Sequence, residues 1–533
     1  MSNYFNKNLN LAKKAMNTKL YSKAVGLLSQ LIEKQPNNIE LLILRGEAYL
    51  HLEQFESGLI DFAKIVELDN TNTVALVNFG VALIRCNRQP DAKEILEYLL
   101  EIDPMNFDAL INLCNVYQAL GKSEESLRCA MRAIEIRPKS ALAYNNLGTA
   151  LGDLNHVQEA REAFVTTLSL DPNFIPAIIN LAQTEIKLGN LADGAKQYEN
   201  ALKNKYISTS QSELVKYYLG YSYLSQGILD KGWDFYEFGF SSLLPVSALR
   251  STRKFLQPRW DGVDHSEKTL LIWREQGIGD EIEFSTCLQD LEQLEMKIIV
   301  ECEPRLLTIF QRTYTNFYFR PASVLANGFP VFEDYDFQYP IGSLPKIFRR
   351  ELSDFKKYTL NIVLNKDYLN KFNAYLKRFE GKKLVGICWR SGLLSIQRNE
   401  SYTHLSDWEY LLKQPDFIFI NLQYDNCENE LREIENKLGI SIVRWNDLDL
   451  KNDLENVLAL IKNLDAVVTV GTAVSSFSGI LKIPTFVLSK KSWMMLGQTE
   501  KYPWFESVRL LHPEDGQHIV TGILKVPEMI RNL

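Results

Sequence analysis

The sequence predicts an α-helical solenoid in its first half and an α/β region with parallel sheets in its second half. Pro104, Pro138 and Pro172 recur every 34 residues, a period typical of stacked helical repeats. After Pro245 this period ends, and short apolar strands begin to alternate with segments of helical spacing. The chain has 533 residues, of which 46% are hydrophobic, so it is long enough for about three or four domains.

The repeats of the first half have the internal pattern of tetratricopeptide repeats. A small residue recurs in the first helix, where it lets two helices approach closely, and a proline ends each repeat. The period is followed by Gly46, Gly80 and Gly148, with Cys114 in the remaining place. We predict six repeats between about residues 3 and 205, and a seventh after an insertion near residues 203–212. A repeat cannot bury its apolar face alone, so the repeats stack.

A solenoid of this kind has a concave face about one peptide wide, which predicts that it holds a partner protein. The alternative is a scaffold or rigid spacer. Asparagines also recur every 34 residues, and amide side chains can clamp an extended peptide backbone. Hydrogen bonding between helices of the array is the alternative role of these residues. The predicted peptide-binding positions are Asn78, Asn112, Asn146 and Asn180.

The second half has the rhythm of two Rossmann-like domains that face each other. We predict strands at 268–273 and 297–302, a helix over 281–294, and a restart of the pattern at 383–389. Ligands of open α/β sheets bind at the carboxyl ends of the strands, which places the site in the cleft between the domains. The predicted domains are residues 1–242 (solenoid), 243–378 (first Rossmann-like domain) and 379–533 (second Rossmann-like domain). Later strands are predicted at 417–422, 441–443, 466–470 and 485–488.

Three strand-to-helix turns carry the candidate chemistry. The first is the loop that follows the strand at 268–273, in which two glycines allow close backbone approach and Asp280 begins a helix. This loop is neither a full dinucleotide fingerprint nor a Walker loop, and Asp280 as a simple N-cap is the alternative. The loop residues are Glu275, Gln276, Gly277 and Gly279.

The other two turns follow strands of the second Rossmann-like domain. Arg390 can bind phosphate with two parallel hydrogen bonds, and a surface ion pair is its alternative role. The small and hydroxyl-bearing residues from Gly471 to Ser476 open a helix whose free N–H groups favour a diphosphate. An ordinary helix start is the alternative there. Together the three turns predict an anionic, nucleotide-like ligand.

Charge, cysteines and hydropathy exclude several other classes. The net charge of −7 argues against a nucleic-acid polymer as partner, because such binders need a basic surface. The seven cysteines form no C-x-x-C pair, so we expect buried thiols rather than a metal or disulfide framework. The polar N-terminus and the absence of an apolar run of about 18 residues predict a cytoplasmic protein without a membrane span.

Taken together, these motifs resemble those of a known family, the bacterial tetratricopeptide-repeat glycosyltransferases. The catalytic region of that family is similar to the heptosyltransferases of the GT-B fold. The resemblance extends from the repeats almost to the C-terminus. Its marks, in order, are Gly232–Glu237, Pro258–Gly262, Trp273–Asp280, Tyr339–Pro345, Val385–Trp389, Asn421–Gln423, Val470–Gly479 and Pro503-Trp504.

The resemblance implies an inverting, metal-independent sugar transfer with no cofactor beyond the nucleotide-sugar co-substrate. Asp280 takes the role of general base, and Arg390 with the helix start at Thr472 neutralises the leaving diphosphate. The acceptor would be a protein held by the repeats, with flagellin or another surface protein as the class that related enzymes imply. The donor-binding residues would be Arg390, Ser391, Gly392, Gln423, Gly471, Thr472, Ala473, Ser475 and Ser476. The resemblance also makes residues 243–378 the acceptor side, with Glu275, Gln276, Gly277 and Gly279 as the acceptor-side loop, and residues 379–533 the donor side.

The chain departs from the heptosyltransferase pattern at the third turn. Gly471 and Ser476 stand where the family usually has an aspartate and a histidine. This departure leaves the donor sugar and nucleotide open. It also leaves a second class of function, a repeat scaffold that carries an inactive glycosyltransferase-like domain.

Overall fold

The computed structural model describes residues 2–357, 361–391, 403–513 and 518–533. The chain divides into two compact units, Met1–Ile207 and Ser208–Leu533. The first is a helical repeat array. The second begins with one more helix pair and continues into two parallel sheets with their helices, so the predicted change from helical repeats to α/β structure is confirmed. The predicted GT-B arrangement and domain boundaries stay predictions.

Six antiparallel helix pairs form the first unit, as the 34-residue period predicts. Their apolar faces form a continuous core over the first nine helices, with a smaller cluster beyond. The helices are α1 (Ser2–Asn17), α2 (Tyr21–Ile32), α3 (Ile39–His51), α4 (Phe55–Leu68), α5 (Thr73–Arg85), α6 (Gln89–Ile102), α7 (Phe107–Ala119), α8 (Ser123–Ile136), α9 (Ala141–Asp153), α10 (Val157–Leu170), α11 (Ile175–Lys187) and α12 (Leu191–Lys203).

Side-chain caps start the first helix of four successive repeats. Asn72 accepts a hydrogen bond from the N–H of Ala75 at 3.0 Å, and Asn106 does the same for Ala109 at 3.0 Å. A cap of this kind stabilises a helix by about 1 kcal/mol because it satisfies an N–H group that has no partner within the helix. The caps of α3, α5, α7 and α9 are Asn38, Asn72, Asn106 and Ser140.

The small residues of the repeats make room for large side chains of the paired helix. A Cβ atom on Gly148 would lie 2.6 Å from the ring of Phe164, and one on Gly46 would lie 2.6 Å from the ring of Phe62. Both aromatic residues are buried. The predicted close approach of the two helices is confirmed at these positions.

The second unit opens with the seventh helix pair, α13 (Thr209–Ser225) and α14 (Leu229–Tyr236). Trp233 of α14 is almost fully buried, and its indole N–H donates to the carbonyl of Arg349 at 2.9 Å. Its ring also packs edge-on against Trp493 and Trp504. This helix pair therefore shares its core with the α/β structure that follows.

The first sheet has four parallel strands in the order β3-β2-β1-β4. One face packs into the main core of the unit, and the other covers a small cluster around Trp273. The elements are β1 (Thr269–Trp273), α15 (Ile278–Ser285), β2 (Lys297–Cys302), α16 (Leu307–Thr313), β3 (Tyr318–Pro321), β4 (Phe337–Pro340), α17 (Leu344–Phe348) and α18 (Lys366–Leu376).

The second sheet has five parallel strands in the order β6-β5-β7-β8-β9. Its central strand β7 is buried along its whole length, which explains its continuous apolar run. The elements are β5 (Lys383–Cys388), α19 (Glu409–Leu412), β6 (Phe417–Asn421), α20 (Glu428–Leu438), α21 (Leu454–Lys462), β7 (Ala466–Val470), α22 (Ala473–Ile480), β8 (Thr485–Leu488), β9 (Val508–Leu511) and α23 (Val526–Arg531).

Two predicted elements differ from the structure. The helix expected over 281–294 ends at Ser285 and is followed by a 3-10 segment over residues 288–293. The short strand expected at 441–443 is wrong, because only an isolated bridge joins Val443 to Ile420 there. Strands β3, β4 and β9 were not predicted. Among the described residues, no helix is both long and apolar enough to cross a bilayer.

Candidate functional site

The first turn, between β1 and α15, is held in place by the segment that follows the seventh helix pair. Arg250 forms a two-fold hydrogen-bonded ion pair with Glu275, at 2.5 and 3.1 Å, and both side chains are at most 1% exposed. Gln276 donates to the hydroxyl of Tyr236 at 2.8 Å. These two predicted acceptor-side residues thus fix the loop.

Asp280 is half-buried in the first turn of α15. Gly277, rather than Asp280, is the N-cap residue of this helix. The N-cap alternative for Asp280 is therefore wrong. A carboxylate in the first turn also benefits from the positive end of the helix dipole.

The first and third turns come together because α15 packs on α22. A Cβ atom on Gly279 would lie 3.3 Å from the hydroxyl of Ser476 and 3.4 Å from Cα of Ala473. Ser476 donates to the carboxyl group of Glu283 at 2.9 Å. The absence of a side chain at position 279 therefore allows α15 and α22 to pack closely here.

Two buried carboxyl groups on α15 have raised pKa values. Burial is the main cause at both. It raises the pKa of Glu283 to about 8, with the charge of Asp280 as the second cause. It raises the pKa of Glu281 to about 7, against the opposing effect of Arg274, which forms an ion pair with Glu281 at 2.7 Å. Glu283 is not among the site residues predicted from the sequence, although its i, i+3 spacing places it one turn from Asp280.

The second turn, after β5, is fixed by the amide of Gln423. Its Oε1 accepts from the backbone N–H groups of Trp389 and Arg390 at 3.0 and 3.1 Å, and its Nε2 donates to the carbonyl of Arg390 at 3.0 Å. The guanidinium group of Arg390 is paired with Asp425, at 2.9 Å, and with Glu430. Of the two roles considered for Arg390, the structure therefore contains the ion pair.

The third turn leaves the start of α22 without a side-chain cap. Thr472 is the N-cap residue, but its hydroxyl accepts no hydrogen bond from the N–H groups of the first turn. It lies 3.1 Å from the hydroxyl of Thr469 instead. Ser475 donates to the carbonyl of Thr472 at 2.6 Å. Ser391 lies beside Tyr424, with a hydroxyl separation of 3.5 Å. Gly392 lies outside the described residues.

A cavity of about 230 Å³ lies at the carboxyl end of β8, next to the start of α22; we call it the β8 cavity. Of the predicted donor-binding residues, Gly471 and Ser475 line it. The hydroxyl of Ser489 is buried and has no hydrogen-bond partner within the described residues, as expected of a group that awaits a polar ligand. The lining residues are Gly471, Ser475, Val487, Ser489, Lys490, Ser492, Met495, Tyr502, Val508 and Leu510.

The cation in the wall of the β8 cavity is Lys490 rather than the predicted Arg390. Ser489, Lys490 and Ser492 all follow the end of strand β8, as Arg390 follows β5. The strand-end rule that identified the three turns would have found them too. Within the described residues there is no group of three or more His, Cys, Asp or Glu side chains arranged to hold a metal ion.

The asparagines of the repeat array have unequal environments. Asn112 donates to the carbonyl of Asp108 at 2.8 Å, and Asn180 donates to Asn145 at 3.2 Å, so both amides are used inside the array. Asn78 is half-buried. Asn146 is buried, and its amide nitrogen has no hydrogen-bond partner among the described residues. The four positions therefore do not form a uniform ladder of free amides.

Comparison with known proteins identifies the repeats directly. Family models for the tetratricopeptide repeat match residues 107–140, 129–162 and 179–237. Tetratricopeptide repeats therefore occupy the N-terminal region. Among solved structures, a tetratricopeptide repeat protein from Parabacteroides merdae is 16% identical, with a TM-score of 0.39, over 44% of this chain and 91% of its own. A MamA protein is 21% identical, with a TM-score of 0.30, over 32% of this chain and 94% of its own.

Two sequence relatives extend the comparison. "Protein FlbA" of Caulobacter vibrioides is 27% identical over 94% of this chain and 86% of its own length. The Hordeum vulgare protein "Probable UDP-N-acetylglucosamine--peptide N-acetylglucosaminyltransferase SPINDLY" is 32% identical over 22% of this chain. That match spans 13% of the barley protein. The chain is thus a repeat protein similar to FlbA throughout and to a repeat-bearing glycosyltransferase over a small part.

Proposed function

We propose that the chain is a glycosyltransferase of the GT-B fold, which moves a sugar from a nucleotide-sugar donor to a hydroxyl group of a protein held by the repeats. The observation that carries the proposal is the packing of α15 on α22, which joins the turn of Asp280 to the wall of the β8 cavity. The name of the barley relative, a probable peptide N-acetylglucosaminyltransferase, agrees with sugar transfer from a nucleotide sugar to a protein. The cytoplasmic location stays a prediction.

In the proposed reaction Asp280 is the general base. Its carboxylate takes the proton of the acceptor hydroxyl while that oxygen forms a bond to the anomeric carbon of the sugar. The bond between this carbon and the diphosphate breaks on the opposite side, and its electron pair leaves with the diphosphate. The configuration at the carbon is therefore inverted.

The leaving diphosphate gains negative charge, which must be neutralised. We assign this role to Lys490, which lines the β8 cavity, and to the backbone N–H groups at the start of α22, which has no side-chain cap. Arg390 is less suited than the sequence predicts, since two carboxylates already neutralise it. The proposed mechanism needs no metal ion, because a lysine and a helix start supply the positive charge.

Titration calorimetry of the full chain with a panel of UDP-, GDP- and ADP-linked sugars tests the proposal. One of them should bind, and Lys490→Ala should weaken it about ten- to a hundredfold, the range for a lost charge-assisted hydrogen bond. The matched control is Lys491→Ala, because Lys491 is exposed and does not line the cavity. Failure of every nucleotide sugar to bind the wild-type chain would refute the proposal.

The second candidate function is a repeat scaffold with an inactive glycosyltransferase-like region. The ion pairs of Arg390 with Asp425 and Glu430 favour it, because they occupy the residue that the family resemblance assigns to the diphosphate. A scaffold would bind a partner protein through the repeats and no nucleotide sugar at the β8 cavity. The same calorimetric panel therefore separates the two functions.

A further inference from the structure

Glu283 lies at the junction between the two helices that begin at the first and third turns. Its carboxyl group accepts a hydrogen bond from Ser476 at 2.9 Å and another from the hydroxyl of Tyr502. Tyr502 in turn lines the β8 cavity. Because Glu283 is one helical turn after Asp280, a continuous set of polar groups leads from Asp280 to the cavity wall.

The groups around Glu283 include no cation among the described residues. Its own helix contributes Asp280, which is negative, and α22 contributes only hydroxyl groups. The segment before β9 contributes Tyr502, whose pKa is raised well above its usual range by burial and by Glu283, so it stays neutral. The 3-10 segment after α15 carries Asp290, which is paired with Arg349 at 2.7 Å, and the exposed Glu292.

A buried carboxylate without a cation is costly, so such a group keeps its proton instead. Burial raises the pKa of Glu283 to about 8, which leaves it neutral at pH 7. Two carboxylates that share one site also repel each other. A neutral Glu283 therefore adds no second negative charge beside Asp280 at this junction.

The geometry points to Glu283 as a positioning residue that acts as a neutral carboxylic acid and joins the helix of Asp280 to the wall of the β8 cavity through Ser476 and Tyr502. The assignment deepens the proposed glycosyltransferase function and rests on it. Ionisation of Glu283 would bring an unpaired charge into the contact between α15 and α22 and weaken it. Transfer activity should therefore fall as the pH rises through about 8.

The same ionisation affects stability, which can be measured without any substrate. The pKa of Glu283 is raised from 4.5, the value expected after unfolding, to about 8 in the folded chain. A raised pKa contributes stability that is complete below the unfolded value and is lost as the pH rises through the folded value. Between these two values the unfolding equilibrium constant should increase by up to about tenfold per pH unit from this group alone.

The experiment compares the full-length wild-type chain with Glu283→Gln, in which a neutral amide replaces the neutral acid. All eight tryptophans lie after residue 208, so their fluorescence reports the unfolding of the second unit. Glu283→Gln should be less sensitive to pH between about 5 and 8 than the wild type. Exposed Glu292→Gln is the matched control and should follow the wild type. Equal pH dependence of Glu283→Gln and the wild type overturns the assignment.

The second measurement is the pH profile of sugar transfer. The wild type should lose activity above pH ~8, whereas Glu283→Gln should keep its neutral-pH activity and lack this alkaline fall. A shared alkaline fall overturns the assignment while the proposed function stands. If no nucleotide sugar binds, the proposed function fails, and the stability measurement still decides the state of Glu283.

A second variant applies if Glu283→Gln does not fold. Ser476→Ala removes a hydroxyl group that lowers the pKa of Glu283 by donating to it. The loss of stability with pH should then continue to higher pH than in the wild type, because the pKa of Glu283 rises in the folded chain and is unchanged in the unfolded chain. A loss that ends at the same pH as in the wild type overturns the assignment.

Discussion

The seventh helix pair and the six pairs before it share a sequence pattern, but they belong to different compact units. In the first unit, Gly148 accommodates an aromatic side chain of the paired helix. In α13, a Cβ atom on Gly220 would lie 2.6 Å from the backbone nitrogen of Tyr236. Trp233 of the same pair is buried against the α/β core. A repeat pattern therefore identifies a helix pair, but it does not tell to which unit's hydrophobic core that pair contributes.

The largest expected effect separates two truncations. Residues 208–533 should fold cooperatively, whereas residues 243–533, which begin at the boundary predicted from the sequence, should not. The shorter piece loses Trp233 and Tyr236 from its core and Glu237 from the ion pair with Arg250. Tryptophan fluorescence during urea unfolding measures both. Equal unfolding midpoints would contradict the inclusion of the seventh pair.

The next effect concerns the ion pair that links this helix pair to the first turn. Arg250→Met should destabilise the second unit by about 3–5 kcal/mol, because it leaves buried Glu275 charged and unpaired. Adding Glu275→Gln should recover a large part of the loss. The control is Lys413→Ala, which breaks an exposed pair with Glu409 and should change stability by less than about 1 kcal/mol. A loss from Arg250→Met no larger than that of the control would contradict the assignment.

The smallest effect compares equivalent glycines in the two units. Gly148→Ala should cost about 1–3 kcal/mol, because Phe164 must shift, and the loss should be visible in circular dichroism but not in tryptophan fluorescence. Gly220→Ala should cost more, because backbone is less able to move than a ring, and tryptophan fluorescence should report it. If both substitutions change the fluorescence equally, the two units do not unfold separately.

The sequence predicts most of the fold because its signals are periodic. The 34-residue spacing identifies the repeats, and apolar strands such as β7 stand out between turns. Strands β3, β4 and β9 are not predicted because a polar residue interrupts each of these four-residue runs, namely Arg320, Gln338 and Arg509. Strand β8 is equally short, but its apolar run Phe486–Leu488 is unbroken.

The candidate site is predicted less completely, because its contacts are between residues far apart in the chain. Asp280 and Ser475 follow from the rule that sites lie at strand ends. The contact of Glu283 with Ser476 joins residues 193 positions apart, and no local pattern reveals it. Similarly, the pairing of Arg390 with Glu430 depends on how α20 packs, so the sequence alone left its role open.

The most direct test of the proposed function is release of nucleoside diphosphate from the nucleotide sugar that binds, with water as the attacking hydroxyl in place of the protein, measured with the wild type and Asp280→Asn. The substitution keeps the size of the side chain and removes its ability to take a proton. The wild type should release the nucleoside diphosphate. Asp280→Asn should bind the nucleotide sugar equally well, but should release the nucleoside diphosphate about 10²- to 10⁴-fold more slowly. Equal rates, or no release by the wild type, would contradict the role of Asp280 and the proposed transfer.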